Sequence, residues 1–123
     1  MNDKYGYQLD DWNKAKEEMR QILIAIAKKR GIIPYGELVS RIQTIRLKPE
    51  SYALAAMLGE ISTEENAAGH GMLTVLVVHK RGDYQPGPGF FELARQLDRN
   101  TSDILSCWIT ELHKVHTYWS AQE

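Results

Sequence analysis

The chain has 123 residues, 43% of them hydrophobic, which is enough for one globular core and short of the length at which chains divide into domains. Fifteen Lys and Arg against sixteen Asp and Glu give a net charge of -1, which excludes a strong non-specific polycation and restricts any nucleic-acid contact to local patches. The lone cysteine, Cys107, excludes an internal disulfide and any zinc site built on cysteine pairs.

No apolar stretch approaches the roughly 20 residues needed to cross a bilayer, and the opening residues MNDKYGYQLDDW lack the pattern of a signal peptide. A cytoplasmic location with no membrane partner is the expectation. From Asp10 or Asp11 to Arg30, the residues Trp12, Ala15, Met19, Ile22, Leu23, Ile26 and Ala27 recur at intervals of three and four, the stripe of one helix. Lys28, Lys29 and Arg30 suit the negative end of that helix, and Gly31 is expected to stop it by taking a positive φ. Ile32 and Ile33 make a short extended piece. A second helix then runs from Tyr35 to Ile45, with Leu38, Val39, Ile42 and Ile45 inward.

After a loop from Arg46 to Glu50, Ser51 is expected to cap a third helix with Leu54, Met57, Leu58 and Ile61 on its inner side. Ser62 or Thr63 offers a second cap and a short extra turn before Gly69. The run from Met72 to His79 is almost wholly apolar and reads as a strand covered on both faces, with a return strand near Tyr84 completing a hairpin, or wing. Pro86, Gly87, Pro88 and Gly89 form a hinge in which φ is alternately fixed and freed, and they deliver Phe90 and Phe91 to the core. Pro88 suits the first turn of a helix reaching Leu97. Thr101 or Ser102 caps a final helix whose apolar face carries Ile104, Leu105, Trp108, Ile109, Leu112, Val115 and Trp119, with Cys107 a small core residue.

This order predicts an α+β, mainly α fold: a winged-helix-like helix-turn-helix with a small β-hairpin and an added C-terminal helix. A single domain spans residues 1–123, with the N-terminal helix at 10–30, the winged-helix-like core at 31–85, and the PGPG hinge and C-terminal helices at 86–123.

Two resemblances bear on function. The phrases LGEIS (Leu58 to Ser62), GML (Gly71 to Leu73), VVHK (Val77 to Lys80), Gly82-Asp83 and PGPGFFELA (Pro86 to Ala94) resemble those of a group of small bacterial proteins, which implies a shared fold and brings no activity. The segment from Gly31 to His79 is similar to the DNA-binding domain of alkyltransferase and alkyltransferase-like proteins. The likeness rests on Gly31 to Leu38 (GIIPYGEL), the alanine-rich Ser51 to Gly59 (SYALAAMLG), and an apolar strand ending in Val77-Val78-His79-Lys80. That resemblance implies nucleic-acid binding without repair chemistry. Val78 stands where the family has its alkyl-accepting cysteine, and Ala53 or Leu54 where it has an intercalating arginine.

Three functional expectations follow. In the leading one, a non-enzymatic protein meets phosphates through Tyr35, Arg41, Arg46 and Lys48 near the helix pair and through Lys80 and Arg81 from the wing. In the second, the same fold is a protein-interaction module that has lost DNA binding, favoured by the near-neutral charge and by Glu60, Glu64 and Glu65, which would repel phosphate and suit a basic partner. In the third, His79, oriented by Asp83 and joined by Glu60, serves a small hydrolase or nuclease, since a histidine aligned by a carboxylate has the composition of a general base. The alternative for His79 is a strand-end histidine bonded to backbone. No cofactor or metal motif is present, and His113 and His116 have only Glu111 to complete a ligand set. The hinge lacks the GKS or GKT of a phosphate loop. A homodimer through Trp108, Val115 and Trp119 of the final helix is the expected assembly if those residues are not buried internally.

Overall fold

A computed structural model describes residues 3–80 and 85–122. It is mainly helical, with one antiparallel hairpin and one parallel strand pair among the described residues. β1 (Asp3–Lys4) and β2 (Tyr7–Gln8) form the hairpin, in register Asp3 to Gln8 and Lys4 to Tyr7. Its two turn residues, Tyr5 and Gly6, have φ of 52° and 87°, the paired positive values that a two-residue hairpin turn requires. The described hairpin is therefore at the N-terminal end. The return strand expected near Tyr84 lies outside the described residues.

α1 (Leu9–Lys28) buries Trp12, Ala15, Met19, Leu23 and Ala27, the predicted stripe. Its end differs from expectation, because Arg30, not Gly31, takes the left-handed conformation at φ 56°. The Gly31 amide then reaches the Ile26 carbonyl (3.0 Å) and the Arg30 amide the Ala27 carbonyl (3.0 Å), the two bonds of a Schellman closure. Gly31 is instead a point of close packing, where a Cβ would lie 3.2 Å from the Ile26 methyl.

β3 (Ile33–Pro34) leads directly into α2 (Tyr35–Arg41), which stops four residues before the predicted Ile45. The cause is Glu18 of α1: its carboxylate accepts from the amides of Gln43 (2.8 Å) and Thr44 (3.1 Å), which draws the chain away from the helical path. α3 (Tyr52–Ala67) begins as predicted, with the Ser51 hydroxyl accepting from the Leu54 amide at 3.2 Å. It has no break at Ser62 or Thr63. The Ser62 hydroxyl is buried against Thr74 (2.5 Å between the two oxygens) and the Thr63 hydroxyl donates to the Gly59 carbonyl (2.7 Å), so both cap-type residues are used inside the helix.

The predicted strand from Met72 to His79 is a four-residue 3-10 helix, Leu73–Leu76, followed by the two-residue β4 (Val77–Val78). All seven residues from Met72 to Val78 are buried, and the 3-10 helix packs among α1, α3 and α5 (Ile104–Ser120). An apolar run enclosed by helices satisfies its backbone locally, and periodicity does not separate it from a strand. β4 pairs in parallel with β3, Ile33 opposite Val77 and Pro34 opposite Val78.

α4 (Pro88–Gln96) starts on Pro88 and buries Phe90, Phe91 and Ala94, as the hinge predicted. The cap of α5 is Asp103, whose carboxylate accepts from the Ser106 amide at 3.1 Å, in place of Thr101 or Ser102. α5 turns Cys107, Glu111, Val115 and His116 inward, while Ile104, Leu105 and Ile109 are about half exposed. No described helix is long and apolar enough to cross a membrane.

Candidate functional site

The parallel register sets the site. With Pro34 opposite Val78, the residues that follow each strand, Tyr35 and His79, stand side by side, their ring centroids 4.8 Å apart and inclined by 38°. The hinge closes over them. The Tyr35 hydroxyl accepts from the Gly87 amide at 3.0 Å, and the His79 amide donates to the Gln85 carbonyl at 2.9 Å. Gly87 comes so close that a Cβ there would lie 2.9 Å from His79 Nε2. Burial raises the Tyr35 phenol above its ordinary value and outweighs the Gly87 hydrogen bond, which acts the other way, so the hydroxyl stays protonated.

Around this contact lies an outer cleft of about 1020 Å³ that meets an inner cavity of about 660 Å³ between α3 and α4, the two sharing Tyr35, Pro49, Glu50, His79, Pro88 and Glu92. All four prolines of the chain, Pro34, Pro49, Pro86 and Pro88, line the outer cleft. Proline has no amide N–H, so none of these four positions supplies a backbone donor to the cleft. Lys80, Glu37, Glu92 and Arg95 complete the charged rim of the outer cleft. Three of the stretches singled out in the sequence, Tyr35-Gly36-Glu37, His79-Lys80 and Pro86 to Gly89, thus converge. The role of Pro49 and Glu50 as a shared wall was not read from the sequence, since it depends on the path of the loop between α2 and α3.

Other predicted residues are placed elsewhere. Glu60 receives the indole N–H of Trp12 (3.0 Å) and Lys16 (3.0 Å), and it also pairs with Lys4. Its carboxylate is therefore held toward α1, and it lines neither the cleft nor the inner cavity. Partial burial pushes that carboxyl up, but the hydrogen bonds from Lys4, Trp12 and Lys16 outweigh it and hold it below its ordinary value. Glu64 bonds Lys16 (2.8 Å) and Arg20, and Glu65 bonds Arg20 (2.6 Å) and His70 (2.8 Å). The expected phosphate-repelling patch is thus neutralised by cations of α1, a pairing across 45 residues that no local spacing reveals.

Arg41 is exposed and pairs with Glu37 at 2.5 Å. Arg46, Lys48 and Lys80 are exposed and have no ion pair among the described residues; Arg81 and Asp83 lie outside them. Val78 is fully buried and does not line the cleft. Val115 is also fully buried, and the Trp108 indole donates to the Val75 carbonyl at 3.1 Å, so the predicted seam of α5 is partly internal. His116 is buried with its Nε2 2.9 Å from the Gly31 carbonyl, while His113 is exposed, so the two histidines do not share a surroundings. Among the described residues no group of three or more His, Cys, Asp or Glu is arranged to hold a metal ion. Cys107 is buried, and burial together with Glu111 keeps its thiol above its ordinary value, the state of an inert core residue.

A second buried cluster lay outside the sequence reading. Glu111, 3% exposed, accepts from the Met72 amide (2.7 Å) and from Arg99 Nε (2.9 Å), and Arg99 also donates to Asn66 (2.6 Å). It ties α5, the end of α3 and the start of the buried 3-10 segment together. Compared with protein-family models, with curated proteins and with solved structures, the chain matches none.

Proposed function

We propose that the chain is a non-enzymatic, winged-helix-like module that binds nucleic acid through the α2–α3 pair. The observation that carries this reading is the division of charge: the carboxylates of α3 are consumed by Lys4, Lys16 and Arg20, while Arg46, Lys48 and Lys80 have no ion pair among the described residues. Arg46 and Lys48 lie on the loop entering α3, and Lys80 lines the same cleft as Pro49 and Glu50, the residues that follow Lys48. Tyr52, 87% exposed, opens α3 beside them. Cations so placed contact phosphate, and an exposed aromatic ring supports stacking.

Titration of the purified chain onto duplex and single-stranded DNA across a range of salt concentrations tests the reading. Three phosphate contacts give a log–log slope of about -2.7 on duplex DNA. Charge reversal of Lys48 and Lys80 together should remove about two contacts' worth of that slope, and salt-independent affinity or none would overturn it.

A second reading, a protein-interaction module, is favoured by one observation: from Tyr52 to Ala67, α3 contains no Lys, Arg or His. A helix with that composition reads base edges poorly and offers small side chains to a protein surface. Absence of binding to either DNA at low salt favours it. A hydrolytic site at His79 would lack Glu60, which is held by Lys4, Trp12 and Lys16.

A further inference from the structure

We propose that the inner cavity between α3 and α4 is a binding site for a small organic cation, an apolar body carrying a protonated amine. Its volume of about 660 Å³ is that of a pocket for a small molecule. Leu54 and Leu58 of α3 face Phe90 and Leu93 of α4 across it and supply apolar walls. Its charge is one-sided. Among the described residues that line it are two carboxylates, Glu50 and Glu92, and no lysine or arginine, whereas the outer cleft also holds Lys80 and Arg95.

The two carboxylates differ. Glu92 is paired with Arg95 at 3.4 Å, while Glu50 has no ion pair among the described residues. Glu50, with no ion pair among the described residues, therefore stands at the junction of cleft and cavity, where an ammonium group would meet it. A ligand of the opposite sign would bring its carboxylate against Glu50 and Glu92. The Tyr35 hydroxyl, which accepts from Gly87, keeps its own proton, and His79 is the remaining titratable side chain of the lining. The pocket thus selects by charge at its mouth and by shape within. This inference goes beyond the nucleic-acid reading and does not depend on it.

The test compares three probes with one ring system, tryptamine, indole and indole-3-propionate, titrated onto the intact chain and followed by amide and methyl chemical shifts. Tryptamine is expected to bind at least about tenfold more tightly than indole-3-propionate, with shifts centred on Leu54, Leu58 and Leu93. Glu50→Gln, at an exposed residue with no ion pair among the described residues, is expected to erase that preference while leaving the spectrum of the free protein unchanged elsewhere. Ala55→Phe, which fills the pocket from its exposed side, is expected to abolish binding of all three. Equal binding of amine and acid, no binding at millimolar concentration, shifts elsewhere, or a preference that survives Glu50→Gln would each overturn the proposal.

Discussion

Gly87 is where a single methyl group tells most about the cleft. Its φ of -73° is ordinary, so the requirement for glycine is one of space: a Cβ would meet His79 Nε2 at 2.9 Å and the Tyr35 hydroxyl at 3.5 Å. Gly87→Ala must push the His79 ring off Tyr35. We expect a cost on the order of 1 kcal/mol in chemical denaturation, with the ring resonances of His79 shifted. Two positions on, Gly89 has nothing within 4 Å of its would-be Cβ, and Gly89→Ala in the first turn of α4 is expected to be neutral or stabilising by a few tenths of a kcal/mol. Gly71 is the opposite case, with φ 88° and a Cβ position 3.1 Å from both Glu111 and Val115. Backbone strain and crowding add there, and Gly71→Ala is expected to cost about 2 kcal/mol or more. The sequence marks all three as glycines in loops and does not rank them, because the difference lies in which side chains the fold brings against each one.

At the scale of elements, stripes and hinges were legible, and the ends of helices were not. The α1 stripe, the Ser51 cap and the Pro88 start depend on neighbours in sequence, and each stands where the pattern placed it. Where α2 stops depends on Glu18, and where α5 starts depends on which of three adjacent polar residues reaches back into the first turn. Asp103→Ala is therefore expected to lower stability by about 1 kcal/mol, and Thr101→Ala to change it little, as read from denaturation midpoints at constant slope. The buried run before His79 shows a different limit. Its valines and leucines announce burial, yet three enclosing helices make a 3-10 turn as acceptable as a strand, and only the last two residues pair.

For the whole molecule, long-range ion pairs link the helices and set its response to acid. Glu18, Glu60, Glu64 and Glu111 are each pushed up by burial and then brought below the ordinary 4.5, Glu18 by hydrogen bonds from Gln43 and Thr44 and the other three by hydrogen bonds and neighbouring cations. A carboxyl whose value is lower in the folded than in the unfolded chain binds fewer protons when folded, so its stabilisation is present above about 4.5 and lost as pH falls through the folded value. Stability should be level from neutrality to about pH 5 and decline below it. Glu111→Gln removes the partner of the largely buried Arg99 and is expected to cost about 3 kcal/mol at neutral pH while flattening part of the acid decline. The convergence of Tyr35, His79 and Gly87 was half legible: the motifs stood out by composition, but their meeting required the parallel register of β3 and β4, which two-residue strands do not announce.

The central claim is that the surface around the start of α3 engages nucleic acid, and the most direct measurement is chemical-shift mapping with a short DNA duplex added to the isotope-labelled chain at low salt. The account predicts shifts at Arg46, Lys48, Ser51, Tyr52 and Lys80 that reverse as salt is raised. Shifts confined to the outer face of α5 or to the Lys28 to Arg30 end of α1, or no shifts at all, would contradict it.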